Sequence, residues 1–490
     1  GSADPAAFMA ATAKARRAQK GQPVEAGRRI VECVEASILV PYETGMEMEL
    51  AAWQDCAAGA PAKALSALAA AEAAAWDMPE AAGADPAPLR RIAVVGATAR
   101  AAAIVAACLD AGLEVALVEL DPTARAEVLE RVLAAADGQV EQGRLGEEER
   151  DRRLARLSPE AGFEDLAGVD AVWEAAPDSV ELKRELWRAI GLMAAPGALL
   201  LSATGSLGIG ALGAAAERPG EVLALHVPGS GQGAPLAELV IPAGAAGQGR
   251  HVATAVALAR RLGKRVVRSA DRAGFVVQRL QTALELAIES LLIAGAKAEA
   301  VDDALIAYGL RAAPCLSMDA EGLDRVLARR HRIAGRGVPV VTGFTLLDAL
   351  VEVGLKGRES GAGLMGWREG RPGGKDESAR AVMQAMAEAD NVTPRAWSAE
   401  QIQQACLAAL ANEGARMVED GTVLRAGDID VAAVHALGFP RWRGGPMIAA
   451  DQRGLVAIER ELGRSFPGLP VSPLFSARIK EGAKLSGAAL

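Results

Sequence analysis

From Arg91 onward the chain falls into a regular alternation, and no other feature restricts its fold as much. Short apolar runs at residues 92–95, 114–118, 171–173, 198–201, 222–225 and 236–241 are separated by helix-length stretches, the first of them residues 98–111. Uninterrupted apolar runs suit strands buried on both faces, and a helix between two strands makes the crossover that leaves them parallel. The expected core is therefore a doubly wound parallel sheet. Near Asp271 the alternation stops, and the rest of the chain reads mostly helical. Upstream, residues 5–80 are Ala-rich with helical periodicity. Pro41 separates stretches 25–39 and 43–56, and a Pro-containing linker, residues 81–88, ends the segment.

The helical remainder carries an internal echo. Pro314, Asp319, Gly322 and Leu323 recur with identical offsets as Pro446, Asp451, Gly454 and Leu455. An acidic pair precedes each copy, Asp302 and Asp303 in one, Asp428 and Asp430 in the other. The pattern predicts two copies of one helical domain.

A net charge of -9 argues against a surface that holds nucleic acid through phosphate contacts. Cys33, Cys56, Cys108, Cys315 and Cys406 are scattered, which writes neither a disulfide framework nor a zinc site, and no metal is expected. The longest uncharged run, residues 189–216, is broken by Pro196, glycines and hydroxyl residues, so a membrane span is not expected. With no signal peptide in view, a cytoplasmic location is expected. Gly1-Ser2 reads as a cloning scar, and the natural protein is expected to begin further upstream.

Within the alternating region, strand, Gly96, helix, strand and Glu119 follow the order of a dinucleotide-binding unit, with a carboxylate spaced to grip a ribose diol. The loop reads Gly96-Ala97-Thr98-Ala99-Arg100-Ala101, whereas the fingerprint has glycine at the first, third and sixth places. Thr98 puts a Cβ where the backbone would approach a pyrophosphate, and Ala101 adds one methyl at the helix–strand contact. The helix N-terminus still offers donors. Arg100 is either a solvated helix residue or a phosphate contact.

Of four histidines, His226 ends an apolar strand, and Glu238 sits among apolar residues of the next. Either residue alone reads as structural. Together they suit a general base oriented by a carboxylate.

These residues carry a family resemblance. The block from His226-Val227-Pro228-Gly229 to Leu236-Ala237-Glu238-Leu239-Val240 resembles, without a gap, the His-containing block of the (3S)-hydroxyacyl-CoA dehydrogenases, as found in the multifunctional β-oxidation enzymes (fatty acid oxidation complex alpha subunit). Val172-Trp173-Glu174-Ala175 with Leu182-Lys183, Asp271-Arg272-Ala273-Gly274-Phe275 and the run Gly438-Phe439-Pro440-Arg441-Trp442-Arg443-Gly444-Gly445-Pro446-Met447 are similar to further motifs of that family. Val34 to Glu49 resembles the helix that links the hydratase/isomerase half to the dehydrogenase half.

The resemblance implies an α/β Rossmann-type dinucleotide-binding domain followed by two duplicated all-α domains, with an N-terminal helical linker. The divisions are 1–88 linker, 89–270 NAD-binding domain, 271–390 first helical domain and 391–490 second. It implies oxidation of a (3S)-hydroxyacyl-CoA to a 3-ketoacyl-CoA with NAD. His226 is then the base and Glu238 its partner, and Gly96, Thr98, Arg100 and Glu119 are the cofactor positions. Gly205, Ser206 and Gln278 fall at substrate positions. It implies as partners an acyl-CoA substrate and a crotonase-type hydratase/isomerase half preceding this chain, in a monomer.

Departures from the family pattern are concentrated at the reaction side. Gly205 stands where the family has a substrate-contacting Ser, Gly229 where it has Asn, and Gln278 where it has the shorter amide Asn. Losing one preorganised donor typically costs ~2.7–4 kcal/mol, or about two to three decades in rate. Three readings stay open. One is a dehydrogenase whose pocket is enlarged at Gly205 and Gly229 for an unusual acyl chain. Another is a redox-inactive scaffold or acyl-CoA binding module. The last is a different 3-hydroxyacid or imine oxidoreductase on the same fold.

Overall fold

The computed structural model describes residues 4–229, 235–245, 248–334, 345–373 and 377–489. Gly1, Ser2 and residues 230–234 of the block after His226 lie outside them. Four helices open the chain: α1 (Pro5–Ala18), α2 (Ala26–Ala36), α3 (Tyr42–Ala58) and α4 (Ala60–Ala74). Asp4 starts α1 by accepting the Ala6 and Ala7 N–H groups, and Pro61 starts α4, where its missing N–H is no loss. Ala64 and Leu68 of α4 are fully buried, with Leu68 in the core of the helical half.

The alternating region runs β1 (Arg91–Val95), α5 (Ala99–Asp110), β2 (Glu114–Val118), α6 (Pro122–Glu141), α7 (Glu147–Leu154), β3 (Leu157–Ala161), β4 (Ala171–Glu174), α8 (Val180–Met193), β5 (Leu199–Ser202), α9 (Ile209–Ala215), β6 (Val222–His226), β7 (Leu236–Ile241), α10 (Gly249–Arg261) and β8 (Arg265–Ala270). Among the described residues the strands form one sheet in the order β3-β2-β1-β4-β5-β6-β7-β8. Strand order reverses between β1 and β4, which opens a crevice at their C-terminal ends. Strand residues alternate between two apolar cores, as a two-residue side-chain period requires. Ile92, Val94, Val115, Leu117 and Trp173 face α5 and α10 on one side, while Ala93, Val95, Ala116, Val118 and Val172 face α8 and α9 on the other.

The sheet corrects the all-parallel expectation. β1 to β6 are parallel, but β7 pairs antiparallel with β6, and β8 runs parallel to β7. The cause is the connection: the stretch between His226 and Leu236 is too short for the crossover that a parallel pair needs. This reversal places His226 directly opposite Glu238.

The helical half comprises α11 (Val277–Ile293), α12 (Ala298–Tyr308), α13 (Pro314–Glu321), α14 (Leu323–Ala334), α15 (Leu346–Glu352), a small hairpin of β9 (Trp367–Arg368) and β10 (Arg371–Pro372), α16 (Glu377–Ala389), α17 (Ala399–Glu419), α18 (Ala426–Ala432), α19 (Pro446–Arg453), α20 (Leu455–Ser465) and α21 (Pro473–Glu481). One apolar core runs through it. Two stretches of this half share a pattern. In the first, Asp302 of α12 accepts the Cys315 and Leu316 N–H groups at the start of α13, and Asp319 accepts those of Leu364 and Met365. In the second, Asp430 of α18 accepts the Met447 N–H at the start of α19, and Asp451 accepts those of Leu485 and Ser486. Gly322 and Gly454 end α13 and α19 with nearly the same backbone angles, φ 99 ψ 121 and φ 93 ψ 125. Both positive φ values favour glycine.

Candidate active site

The antiparallel pairing of β6 with β7 brings together the two residues picked out as base and partner. His226 Nδ1 lies 2.7 Å from Glu238 Oε2, with His226 5% exposed and Glu238 fully buried. The other carboxylate oxygen, Oε1, accepts the Val276 N–H at 2.8 Å and the Val277 N–H at 2.9 Å. Val276 and Val277 are the start of α11, where N–H groups have no acceptor within the helix and a negative charge is favoured. With both backbone amides donating to Oε1, an Nδ1–H facing Oε2 is the tautomer that suits this acceptor, and in it Nε2 presents a lone pair. Ahead of these amides stands Phe275, in a left-handed conformation at φ 48, fully buried, its ring centroid 6.2 Å from that of His226. Such a conformation is uncommon for a bulky residue and is held by the packing around it.

Gly205 and Gln278 lie at this same imidazole. A Cβ added to Gly205 would sit 2.7 Å from His226 Nε2 and 2.7 Å from Gln278 Nε2. The expectation that Gly205 enlarges the site is therefore corrected: the volume is already taken by the longer amide and the imidazole. Gly229 differs, since it has φ 90 and open space around it, so its backbone and not crowding favours glycine. Ser206 is buried, and its hydroxyl donates to Asp178 Oδ2 at 3.4 Å. Thr204 Oγ1 accepts the Ser206 and Leu207 N–H groups and shapes the bend after β5.

At the crevice, β1 and β2 end side by side, so Gly96 and Glu119 are neighbours, and the Gly96 N–H donates to Val118 O. Gly96 has φ 111, and a Cβ there would lie 2.7 Å from the backbone of Ala176. Glycine is required on both counts. The Thr98 hydroxyl donates to Ala175 O at 2.7 Å and accepts the Ala101 N–H at 3.1 Å as the N-cap of α5. Among the described residues this leaves the Ala99 and Arg100 N–H groups without an acceptor at the helix start. Ala101 is fully buried, its methyl accommodated in the core beside the sheet. Arg100 is not a freely solvated residue: its Nη1 donates to Ala203 O at 3.0 Å and lies 3.9 Å from Asp178. Glu119 accepts the Asp121 N–H through Oε1. A helix start with free donors, a glycine pressed on the neighbouring strand's loop and an acid beside it fit a dinucleotide.

A cleft of ≈ 660 Å³ runs beside α5, lined among others by Thr98, Arg100, Asp178, Gly229 and Lys264. Burial pulls the Lys264 ammonium below its ordinary value. Among the described residues no helix is long and apolar enough to cross a membrane.

Residues 91–272 match the family model for the 3-hydroxyacyl-CoA dehydrogenase NAD binding domain, and residues 274–367 that for the 3-hydroxyacyl-CoA dehydrogenase C-terminal domain. The chain belongs to the 3-hydroxyacyl-CoA dehydrogenase family. Its fold is similar to 3-hydroxybutyryl-CoA dehydrogenase from Escherichia coli K12, at 20% identity and TM-score 0.67 over 81% of this chain and 100% of that one. The dehydrogenase part of multifunctional enzyme 1 from C. elegans aligns over 84% of this chain and 96% of its own, at 16% identity and TM-score 0.60. A (S)-3-hydroxybutyryl-CoA dehydrogenase from Ralstonia eutropha matches at 25% identity and TM-score 0.54, over 58% of this chain and 100% of its own.

In this 3-hydroxyacyl-CoA dehydrogenase several supporting groups escaped the sequence reading. The α11 amides that hold Glu238 are backbone groups and leave no residue-type signal. Glu174, at the end of β4, is fully buried and accepts from Ala176 N, Lys183 Nζ, Trp187 Nε1 and Ser202 Oγ. It ties the C-terminal ends of β4 and β5 to α8, beneath the bend that carries Gly205. Glu174 and Lys183 stood out only as parts of a motif; their pairing across nine positions is visible only in the fold.

Proposed function

We propose that this chain oxidises a (3S)-hydroxyacyl-CoA to the 3-ketoacyl-CoA with NAD, and the observation that carries the reading is His226, fixed by Glu238 with Nε2 as the open base. His226 Nε2 takes the proton of the C3 hydroxyl as C3–O becomes a carbonyl. When bound, NAD supplies the acceptor for the hydride that leaves C3. Glu238, anchored by the α11 amides, stabilises the imidazolium that results. Gly96, Thr98, Arg100 and Glu119 frame the dinucleotide site, Arg100 by bracing α5 against Ala203. The chain's substrate contacts come from the bend of Gly205 and Ser206 and from Gln278. Arg131 and Lys264, on the walls of the cleft beside α5, are cationic groups of the kind a CoA phosphate needs.

The parallel acid-to-amide contacts and matching glycines of the helical half support a duplication. We read residues 1–88 as linker, 89–270 as the NAD-binding domain, and 271–390 and 391–490 as two copies of one helical domain. The second copy packs on the first within one core, which suits a monomer, and a preceding hydratase half would supply the hydroxyacyl-CoA.

The redox-inactive reading rests on Thr98 at the pyrophosphate position and on Gly205 and Gly229 at the reaction side. Calorimetric titration with NADH, and separately with acetoacetyl-CoA, decides between the two. Micromolar binding of both, with turnover that disappears in His226→Ala, is expected. Absence of NADH binding at millimolar concentration would sink the dehydrogenase reading and favour the scaffold.

A further inference from the structure

A cavity of ≈ 590 Å³ lies in the helical half where α11 packs on α17, and it shares no lining residue with the cleft beside α5. Small residues open it: Ala283 and Ala287 of α11 and Ala409 of α17 form a floor that larger side chains would fill. Two loops wall this groove, and each is pinned to a helix. The loop after α16 is tied to the end of α11, where Ala294 O accepts the Arg395 N–H and Trp397 Nε1, both at 3.0 Å. Gly295 permits that approach, since a Cβ there would stand 2.8 Å from the Arg395 backbone nitrogen. The loop after α20 is tied to α17 by the buried Asn412, whose amide donates to Pro470 O and accepts the Ser472 N–H. A groove held in this way is formed before any ligand arrives, and its volume is in the range of small-molecule sites.

The walls add aromatic and cationic groups to the apolar floor. Trp397 and Phe466 line the groove, and the Arg395 guanidinium stacks 3.7 Å from the Trp397 ring centroid. Arg464 is paired with Glu461 at 2.6 Å. Arg416 differs: it is half-buried, and among the described residues its guanidinium makes no hydrogen bond or ion pair. The acids about one turn away on α17 are engaged elsewhere. Arg279 takes Glu413 at 2.5 Å and Asp420 at 2.6 Å, while Glu419 accepts from the Ser472 hydroxyl and the Leu474 N–H. Asp390, the other acid on the wall, is exposed. An open arginine fork beside an apolar groove matches a carboxylate that carries a hydrocarbon body. We propose that this cavity binds an amphipathic carboxylate, with the ionised head on Arg416 and the hydrocarbon along the alanine floor against Trp397 and Phe466. The site is independent of His226 and of the dehydrogenase reading.

Calorimetric titration of the whole chain with decanoate tests the site, with acetate as a head without a body and decyltrimethylammonium as a body with the opposite charge. Decanoate is expected to bind with a Kd below about 1 mM, and the other two to give no binding at the same concentrations. Arg416→Gln should weaken decanoate roughly tenfold or more, as expected on losing a hydrogen bond to a charged group. Ser290→Phe should abolish binding by filling the groove from α11. Ser290 is an exposed lining residue whose hydroxyl donates to Leu286 O of its own helix, so the change is expected to spare the fold, with Tm as the control. Should that variant melt early, Arg416→Gln carries the test alone. A protein that binds no decanoate, that binds decyltrimethylammonium equally well, or that keeps its decanoate affinity in either folded variant would overturn the proposal. Decanoate held in the cleft beside α5 would show itself as the last of these, because neither residue lines that cleft.

Discussion

At the scale of single residues, the centre depends on which nitrogen of His226 carries the hydrogen, and Glu238 decides that. In Glu238→Gln one end of the amide is an NH2. Turned toward His226, it forces Nδ1 to accept and moves the hydrogen to Nε2, which abolishes the base; turned toward α11, it opposes two backbone N–H groups. Either arrangement removes the lone pair from the reacting side or weakens the anchor. The expected outcome is a kcat reduced by ~10⁴, as when a wrong tautomer is imposed on a catalytic histidine, with the acyl-CoA still bound. Steady-state kinetics with acetoacetyl-CoA and NADH would read it, and a variant within threefold of the wild type would remove His226 as base. The His226–Glu238 pair was legible in the sequence because a strand-end histidine and an acid in an apolar strand are both unusual. The crowding at Gly205 was not, because it arises from residues far apart in the chain meeting at one imidazole.

At the scale of elements, uninterrupted apolar runs made most strands legible: β2 and β7 fall on the expected residues, and β1, β4, β5 and β6 within one residue at each end. β3 and β8 were not foreseen. β3 reads Leu-Ser-Pro-Glu-Ala at the edge of the sheet, with only its last residue buried, and β8 mixes Arg265, Arg268 and Ser269 with two valines. Edge positions demand little apolar surface, so their sequences carry little signal. The capping role of Thr98 was not legible either, because rotamer choice lies outside sequence pattern. Thr98 reads as an obstacle to a pyrophosphate, yet its hydroxyl caps α5 and spans to Ala175. Thr98→Ala is expected to lower stability by about 1 kcal/mol through loss of the cap, seen as a fall in Tm, without weakening NADH binding. A large loss of NADH affinity in this variant, with Tm unchanged, would show that the hydroxyl serves the cofactor instead of the helix.

At the scale of the whole molecule, the helical half stores acids where water does not reach. Burial pushes the carboxyls of Asp302, Asp319 and Asp430 above their ordinary values and that of Asp428 up to about 6, against the weaker pull of Arg425 and Arg268. The first two are matched by backbone amides, but one oxygen of Asp428 has no hydrogen-bond partner among the described residues. Asp428 belongs to α18, which packs on both α4 and β8, so its ionisation is felt where linker helix, sheet and helical core meet. The direction of the effect follows from proton counting. Between about pH 4 and about pH 6 the folded chain keeps a proton on Asp428 that the unfolded chain has lost, so stability falls as pH rises through that window. Two pH units of one bound proton amount to about 3 kcal/mol. Asp428→Asn removes the penalty while keeping the shape of the side chain. It is expected to raise Tm by several degrees near neutral pH, with a gap that shrinks as pH falls through pH 4 and closes near pH 3, below the ordinary value of 3.8, where the wild-type acid is mostly neutral in both states. Thermal melts of the two proteins across this range would measure the difference. A gap in Tm that does not widen with pH would mean that Asp428 stays ionised in the folded chain, held by Arg425 and Arg268 as an ion pair.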